Sequence, residues 1–539
     1  DKMELGKIYH MGREEKADLI LNRQAMASHT FVTGSTGTGK SNAVYHLLDE
    51  ITKDGRTSFL VVEPAKGEYK NVFGSRADVK VFGTNPRETP LLRINPFAFP
   101  QDIHILEHID RLVEIFNACW PMYAAMPAVL KDAIERSYQK VGWDLRNSES
   151  EKGVFPTFFD LLDILPGVIE ESHYSKDTQS DYVGALCTRV KSLTNGIYGS
   201  VFCAEDALSD AELFDCNVVV DLSRVGSMET KSLLMGILVM KLQEYRMCGS
   251  EMNSRLRHVT VLEEAHNLLR KTSAEQPQEG ANLQGKSVEM LANAIAEMRT
   301  YGEGFIIADQ APGLLDMSVI RNTNTKIILR LPDEEDRKLV GKSAALKEAQ
   351  IDELSKLPLG VAAVYQNEWP EAVLCKIEAY PMPENAVYHK PSKMPHEINA
   401  EFVFGQLAAG KELEPLSVSE MEQLKRWLKR HEMMLKPEDG RYLEQVFAGG
   451  ELDVAKTRKA VFDFFGGIST VVDYCAAAEK SFTPRKEFLE QLQGQYGLKA
   501  AAADWVLNSV ISMGMSLNPD AKAVDNLRTN FEQQGGRVL

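Results

Sequence analysis

The stretch of sequence that determines the predicted fold is Gly34-Ser35-Thr36-Gly37-Thr38-Gly39-Lys40-Ser41. Its residues match G-x-x-x-x-G-K-[ST] in full, which is the pattern of a loop that binds phosphate. Residues 29–33 before the loop are apolar and β-prone, and residues 41–51 after it carry apolar side chains at helical spacing. A strand, a glycine-rich turn and a helix in this order are the context that the pattern needs. The sequence therefore predicts a nucleotide-binding protein.

The residue types in this loop predict how a nucleotide is held. Glycines let successive backbone N–H groups face one anion, and the helix that follows adds the positive end of its dipole. In such loops the lysine, here Lys40, reaches the β- and γ-phosphates, and the hydroxyl of Ser41 binds Mg²⁺. The residues expected to contact the nucleotide are Gly34, Ser35, Thr36, Gly37, Thr38, Gly39, Lys40, Ser41 and Asn42.

Composition narrows the class of protein. The chain has 539 residues, of which 44% are hydrophobic and 26% charged, as is typical of a soluble protein with two to four domains. Its net charge of −16 is unusual for a protein that coats DNA with its outer face. Any contact with nucleic acid is therefore expected to be local, such as the lining of a ring.

Cysteine usage and hydropathy predict where the protein works. The seven cysteines are dispersed without a C-x-x-C pair, which predicts reduced thiols, no cysteine or histidine metal cluster, and a cytoplasmic location. The sequence contains no apolar run long enough to cross a bilayer and no signal peptide. Because the first residue is Asp1 rather than Met, we expect the natural chain to begin earlier, with a further domain upstream.

Apolar runs after the loop predict a mainly parallel sheet. Residues 58–63, 217–222 and 258–262 are continuous apolar segments, which is typical of strands buried on both faces. The third ends in Glu263 and Glu264. An acid pair at this position is the second half of phosphate-loop chemistry, because the first acid holds the Mg²⁺ shell and the second orients and deprotonates the attacking water. Glu263 stands where such proteins more often have Asp.

The order of the predicted elements indicates an α/β fold with a doubly wound sheet. A further strand at 304–310 places Gln310 near the γ-phosphate or the water, and two short strands at 361–365 and 371–375 extend the sheet at its edge. Residues 270–286 are polar and predict a long loop. The predicted organisation is an N-terminal segment at 1–24 with one short strand, a core in two parts at 25–100 and 211–380, a helical insertion at 101–210, a proline-marked linker at 381–415 and a helical domain at 416–539.

Five segments together resemble the HerA/FtsK group of ring-forming P-loop ATPases and, within it, the HerA-type branch. They are residues 29–41, 62–69 (VEPAKGEY), 261–269 (VLEEAHNLL), 296–310 (AEMRTYGEGFIIADQ) and 320–331 (IRNTNTKIILRL). The resemblance implies a RecA-like core, ATP and Mg²⁺ as cofactors and assembly into a homo-oligomer, as a hexamer. It also implies work on double-stranded DNA with a nuclease or another effector partner, in DNA end processing or antiphage defence.

The resemblance also assigns roles to single residues. Lys40 matches the catalytic lysine, Glu263 the metal-binding acid and Glu264 the acid that activates water, while Gln310 matches the polar sensor of the phosphate. With Ser41, Glu263 completes the implied metal set.

A ring ATPase also needs a positive charge on the transferred phosphate, often from the next subunit. Arg330, at the end of its strand, and Arg299, before the turn at 301–302, are the two candidates, and the sequence does not choose between them.

The sequence leaves three functions open. The first is translocation or remodelling of double-stranded DNA. The second is an ATP-gated oligomeric scaffold that regulates a partner effector through the C-terminal helices. The third is a motor ATPase of the secretion or conjugation type, which moves protein or DNA–protein substrates.

Overall fold

The computed structural model describes residues 2–390 and 437–538 with gaps, together with Val403 and Leu407. The gaps are residues 54, 124, 151–152, 205–206, 250, 273–282, 383–386, 448–450, 452, 482, 497, 499 and 519. The chain divides into two compact units, Asp1–Lys390 (unit 1) and Pro391–Leu539 (unit 2). Most of the predicted linker at 381–415 lies outside the described residues.

Unit 1 is built on one sheet of eleven strands, and a two-residue hairpin stands apart from it. The strands of the unit are β1 (Lys2–His10), β2 (Arg13–Asn22), β3 (Thr30–Thr33), β4 (Ser58–Glu63), β5 (Val79–Gly83), β6 (Trp143–Asp144), β7 (Glu149–Ser150), β8 (Asn217–Asp221), β9 (His258–Glu263), β10 (Glu303–Asp309), β11 (Thr325–Ile328), β12 (Val361–Gln366) and β13 (Val373–Lys376). Their order in the large sheet is β2-β1-β13-β12-β11-β3-β10-β9-β4-β8-β5, and β6 pairs with β7.

The seven strands from β11 to β5 in this order are parallel, and the four at the other edge are antiparallel. The predicted α/β fold with a mainly parallel sheet is confirmed. The two predicted strands β12 and β13 extend the sheet, but they do not form its edge, because β1 pairs with β13 and β2 lies beyond β1. Because parallel strands end at the same edge, Thr33, Glu63, Asp221, Glu263 and Asp309 all reach that edge together. Ligands of α/β proteins bind at this edge.

The helices of unit 1 cover both faces of the sheet. They are α1 (Lys40–Thr52), α2 (Tyr69–Phe73), α3 (Ile105–Cys119), α4 (Met126–Lys140), α5 (Phe158–Glu171), α6 (Lys176–Tyr182), α7 (Thr188–Thr194), α8 (Gly196–Phe202), α9 (Asp210–Phe214), α10 (Met228–Gly249), α11 (Leu283–Glu297), α12 (Met317–Arg321), α13 (Glu334–Ser343) and α14 (Glu348–Glu353). Side chains alternate between the faces: Phe31, Leu60 and Val62 join the core under α3 to α5, while Val32 and Val61 join the core under α1 and α2. The helices between β5 and β8 thus share a core with the sheet.

The prediction for residues 1–24 is wrong, because this segment is not irregular with one short strand. It forms β1 and β2, which pair as an antiparallel hairpin at the edge of the sheet. Met3 and Leu5 of β1, and Leu19 and Leu21 of β2, are buried. Most of β2 is exposed and charged, so the alternation that identifies a half-buried strand is hidden in the sequence.

The predicted loop at 270–286 is also corrected, because α11 already begins at Leu283. Residues 273–282 of that loop lie outside the described part of the chain.

Unit 2 is helical wherever it is described, and the predicted helical C-terminal region is confirmed. Its longer helices are α15 (Pro437–Phe447), α16 (Val454–Phe464), α17 (Gly467–Ala478), α18 (Pro484–Tyr496), α19 (Ala500–Leu517) and α20 (Ala521–Gln533). Val461, Tyr474, Val506 and Phe531 belong to its separate hydrophobic core. Within the described ranges no single helix is long and apolar enough to span a membrane. The helices α16 and α17 meet the length and composition criteria only when they are taken together, and they are bent by 67° relative to each other.

Candidate nucleotide-binding site

The glycine loop lies between β3 and α1, and its backbone requires glycine at several points, Gly39 and Gly34 among them. Gly39 has φ of 105°, in the region that side chains disfavour. A Cβ on Gly34 would lie 2.6 Å from Thr38 Oγ1 and 2.7 Å from Leu329 Cβ. The Ser35 N–H donates to the Arg330 carbonyl at 3.0 Å, which ties the loop to the end of β11. The loop is therefore held open at a defined place beside the sheet.

The predicted lysine and acid pair meet under this loop. Lys40 Nζ donates to Glu263 Oε2 at 2.8 Å and to Glu264 Oε1 at 3.1 Å. Burial alone would lower the pKa of Lys40, but the two carboxylates outweigh it and raise the pKa above the ordinary value. Lys40 is therefore a permanent cation at the position where phosphates are expected.

Glu264 has a strained backbone and an unpaired carboxylate oxygen. Its φ of 45° and ψ of 52° lie in the left-handed region, which for a residue other than glycine costs on the order of 1–3 kcal/mol and is found mostly at functional sites. Its buried Oε2 has no hydrogen-bond partner in the described part of the chain. Lys40 fixes this carboxylate through one oxygen, and the other lies 3.6 Å from His266 Nδ1 without a hydrogen bond, so it can accept a proton from water.

A histidine and an aspartate, to which the sequence patterns assigned no role, adjoin Glu264. Asp309, at the end of β10, is buried and accepts from the His266 backbone N–H at 2.9 Å and from its Nδ1 at 2.8 Å. The hydrogen bond with Asp309 is the largest cause that raises the pKa of His266. Together with Glu264 these side chains bring three possible ligand atoms within 4.8 Å of one another. Imidazole favours transition metals over magnesium, so this group does not replace the predicted Mg²⁺ set.

The predicted metal set, Ser41 and Glu263, consists of oxygen donors, which magnesium prefers. Glu263 is oriented by a second residue that sequence reasoning missed, because the buried Tyr69 hydroxyl donates to Glu263 Oε1 at 2.5 Å. Burial raises the pKa of Tyr69 well above its usual value, so this group stays a phenol and a donor. The donor set therefore fits Mg²⁺ with Tyr69 as an outer partner. The signal in the sequence for Tyr69 is its place at the end of the VEPAKGEY segment, which is one of the five segments that carry the resemblance.

We expect Tyr69→Phe to lower the apparent affinity for Mg²⁺ in ATP hydrolysis by about tenfold or more, because loss of a partner behind a metal ligand commonly has this effect. Binding of ATP without Mg²⁺ should stay the same. The measurement is a Mg²⁺ titration of the hydrolysis rate. Tyr380→Phe is the matched control, because Tyr380 packs on Phe73 in the same aromatic cluster while its hydroxyl bonds Asp49. Equal Mg²⁺ dependence of both variants would contradict the role of Tyr69.

Glu63 shapes the turn that carries Tyr69. Its Oε1 accepts the Glu68 N–H at 2.8 Å and its Oε2 accepts the Tyr69 N–H at 3.1 Å. Burial raises the pKa of Glu63 to about 8; the two N–H donors oppose this, and Asp221 and Glu263 add to it. Glu63 is thus a carboxyl group that keeps its proton at neutral pH.

A protonated Glu63 makes stability depend on pH. Between a pKa of 4.5 in the unfolded chain and about 8 in the folded one, the folded protein binds more protons, so the free energy of unfolding falls as pH rises. Glu63→Gln does not titrate and resembles the protonated acid. We expect the variant to exceed the parent's unfolding free energy by about 1 kcal/mol at pH 5 and by on the order of 4 kcal/mol at pH 8, as measured by urea denaturation. A variant that is weaker at pH 8 would mean that the two N–H groups hold an ionised carboxylate.

The structure brings two further predicted residues to the loop. Gln310 Oε1 accepts from Thr36 Oγ1 at 2.9 Å, so the expected sensor contacts the glycine loop directly. Asn42 uses its amide elsewhere: Nδ2 donates to the Glu378 carbonyl at 2.8 Å, and Oδ1 accepts the Tyr380 N–H at 2.7 Å. A nucleotide can therefore meet Asn42 through its backbone, while its side chain fastens the segment after β13 to α1.

The two candidate arginines lie at opposite ends of the parallel strands, Arg330 at the carboxyl end and Arg299 at the amino end. Arg330 follows β11, and its carbonyl accepts from Ser35 of the loop, so its exposed side chain begins beside the site. Arg299 precedes β10, whose seven residues span about 23 Å, and it lies at the amino-terminal edge. Within one subunit the structure brings Arg330 to the site and leaves Arg299 away from it.

A cation and two acids gathered at the glycine loop of a parallel sheet are the chemistry of a P-loop ATPase, and this is the class of the protein. Residues 3–152 match the family described as "Helicase HerA, central domain". The DNA double-strand break repair helicase HerA of Sulfolobus acidocaldarius is 25% identical over 386 residues, which is 70% of this chain and 69% of the relative. The same helicase from Sulfurisphaera tokodaii is 23% identical over 382 residues, with 70% and 69% covered.

Among solved structures, VirB4 of Thermoanaerobacter pseudethanolicus has the same fold, with a TM-score of 0.54 and 19% identity, over 70% of this chain and 96% of VirB4. These likenesses support the HerA-type P-loop ATPase that the sequence resemblance implied.

Proposed function

We propose that this protein hydrolyses Mg-ATP within a homo-oligomeric ring, a hexamer, and uses the energy to translocate or remodel double-stranded DNA. The observation that carries the proposal is the contact of Lys40 Nζ with both Glu263 and Glu264 under the glycine loop. The names of the relatives, which describe DNA double-strand break repair helicases, support DNA as the substrate. A nuclease or other effector partner, a role in antiphage defence or end processing, and a cytoplasmic location stay predictions.

In this proposal Lys40 exchanges its contacts with Glu263 and Glu264 for the phosphates when Mg-ATP binds. The loop N–H groups and Lys40 bind the phosphates, while Ser41 and Glu263 would hold Mg²⁺, which would neutralise phosphate charge and polarise the γ-phosphoryl group. Glu264 accepts the proton of the attacking water through Oε2. Gln310, in contact with Thr36, reports on the γ-phosphate.

The positive charge on the transferred phosphate has two possible sources. Arg330 can supply it within its own subunit, since it begins beside the loop. Arg299 lies at the far edge of the sheet, so it can supply the charge only to the site of a neighbouring subunit.

We expect duplex DNA to stimulate ATP hydrolysis several-fold, and the stimulation to fall as salt rises, because phosphate contacts release counterions. Lys40→Ala should abolish both basal and stimulated hydrolysis. The measurement is the rate of phosphate release with and without DNA, together with the native mass in the presence of an ATP analogue and duplex DNA. A hexamer whose rate of ATP hydrolysis no DNA changes would contradict translocation. A particle that stays a single subunit would contradict the ring.

The separate helical unit 2 favours a second candidate function, an ATP-gated scaffold for a partner effector. Unit 2 has its own core and also exposes apolar side chains, among them Ile468, Val472 and Leu517. Removal of residues 391–539 should then abolish partner binding and leave ATP hydrolysis in place. Partner binding that survives the deletion would exclude unit 2 as the docking element. The third candidate, a secretion or conjugation motor, has only the fold likeness to VirB4 behind it.

A further inference from the structure

The chain segments that follow β9 and β10 are fastened to each other at the edge of the sheet where the glycine loop lies. We call residues 264–271 the base segment and residues 310–316 the sensor segment, because they begin with Glu264 and Gln310. Since β9 and β10 are adjacent and parallel, the two segments start side by side. Backbone hydrogen bonds of 2.8 and 2.9 Å join their far ends. The proposed proton acceptor and the proposed sensor therefore belong to one hydrogen-bonded unit.

Asp309 fastens the near ends of the two segments. Its side chain is fully buried, and Oδ2 accepts the His266 backbone N–H at 2.9 Å and lies 2.8 Å from His266 Nδ1. Its Oδ1 accepts the Ala311 N–H at 2.9 Å. One side chain thus binds the residue two places after Glu264 and the residue directly after Gln310. An ionised carboxylate offers only acceptors, so it can hold all three donors at once, whereas an amide of the same size cannot.

The hydrogen bond to Asp309 decides what His266 offers to Glu264. Because the carboxylate accepts, His266 Nδ1 carries a proton and donates it to Asp309. The same nitrogen lies 3.6 Å from Glu264 Oε2, which is too far for a hydrogen bond. Without Asp309, a small rotation of the imidazole would bring this N–H onto Oε2, the oxygen that is buried without a partner among the described residues. Asp309 therefore keeps a competing donor off the oxygen that the attacking water needs.

The backbone of Glu264 also depends on this fastening. Its left-handed conformation is strained and persists only where the surroundings hold it. Asn267 is one such contact, since its Nδ2 donates to the Glu264 carbonyl at 2.7 Å. Asp309 is another, because it holds the same turn through the His266 N–H. The direction of the Glu264 side chain is thus set by contacts outside β9.

We propose that Asp309 is a positioning residue for ATP hydrolysis. It holds His266 away from Glu264 Oε2, which leaves this oxygen to the attacking water. It also keeps the base in register with Gln310, whose side chain contacts Thr36 of the glycine loop. This inference rests on the proposed function, in which Glu264 accepts the proton. Because Asp309 acts through other residues, it affects turnover and leaves the binding of ATP unchanged.

The test measures kcat and KM for ATP in the full chain. Asp309→Asn keeps the size of the side chain, but it turns one acceptor into a donor and releases His266. We expect kcat to fall by about 10–10²-fold, because a misplacement of about 1 Å can cost ~10²-fold, while KM stays within about twofold. Adding His266→Ala to this variant removes the competing donor and should restore about tenfold in kcat. His266→Ala alone should cost no more than about threefold, since the backbone N–H still binds Asp309.

Asp316→Asn is the matched control, since it makes the same change in the same segment. Asp316 caps α12 by accepting the Ser318 N–H at 2.9 Å, and asparagine caps helices as well as aspartate does. Its kcat should equal that of the parent. Circular dichroism and the midpoint of urea denaturation show whether each variant folds. If Asp309→Asn does not fold, Asp309→Ser, which is smaller, carries the same comparison with and without His266→Ala.

Two outcomes would overturn the inference. One is a kcat for Asp309→Asn within about twofold of the parental value. The other is a double variant that is no faster than Asp309→Asn, which would show that His266 does not compete for Glu264. Glu264→Gln, measured in the same assay, separates this inference from the proposed function. A slow Glu264→Gln beside a fast Asp309→Asn overturns the inference alone, whereas a fast Glu264→Gln overturns the assignment of the base and the inference with it.

Discussion

Glu264→Gln is expected to lower the turnover of ATP by about 10²–10⁴-fold, the usual contribution of a general base, and to leave ATP binding intact. The amide keeps the size of the side chain and the acceptor that Lys40 Nζ contacts at 3.1 Å. It removes the basic oxygen, Oε2, that is buried without a partner among the described residues. Single-turnover hydrolysis and equilibrium binding of a fluorescent ATP analogue measure the two effects separately.

The neighbouring acid provides the comparison for this result. Glu263→Gln should also slow hydrolysis, but excess Mg²⁺ should restore part of the rate, because Glu263 is assigned to the metal rather than to water. No amount of Mg²⁺ should rescue Glu264→Gln. If Glu264→Gln turns over ATP at the parental rate, the proton acceptor is another group and the assignment of this pair is wrong.

The largest expected effect on stability comes from Glu303, far from the chemistry. Its fully buried carboxylate accepts from Arg246 Nε at 2.9 Å and from Thr260 Oγ1 at 2.8 Å, and it lies 2.7 Å from His258 Nδ1. Arg246 is itself only 1% exposed. Glu303→Ala leaves a buried guanidinium without its main carboxylate, which typically costs about 3–5 kcal/mol of unfolding free energy. Urea denaturation of the full chain measures the loss as a change in the unfolding transition of unit 1.

Two variants test whether burial causes this effect. Glu334→Ala breaks the exposed ion pair with Lys338 on α13 and should change stability little, because water replaces the lost contact. The double variant Arg246→Met, Glu303→Leu removes both buried charges and should recover much of the loss, since apolar pairs can replace buried ion pairs. Equal losses in Glu303→Ala and Glu334→Ala would show that the β10 network is not a buried-charge network.

Much of the candidate site could be predicted because its signals are local in the chain. The glycine loop, Lys40 and Ser41 lie within eight residues, and Glu263 and Glu264 end a strand that its apolar run already marks. Local patterns survive in a single sequence because the backbone conformations they require depend on neighbouring residues.

Other predictions failed where the pattern was weak. The hairpin β1–β2 was missed, since the exposed face of β2 carries charge and leaves only Leu19 and Leu21 as buried markers. The sequence could also not place Asn42, whose amide is taken up by the backbone of residues 378 and 380.

By itself the sequence determined that this is a phosphate-binding α/β protein with a lysine and two glutamates at its centre, because each of these features follows from short-range chain geometry. Only the tertiary structure decided that Tyr69 donates to Glu263 across 194 positions and that His266 donates to Asp309 across 43. Such contacts depend on which strand ends the sheet order brings together. No local propensity encodes that order, since it arises from burying both faces of one sheet at once.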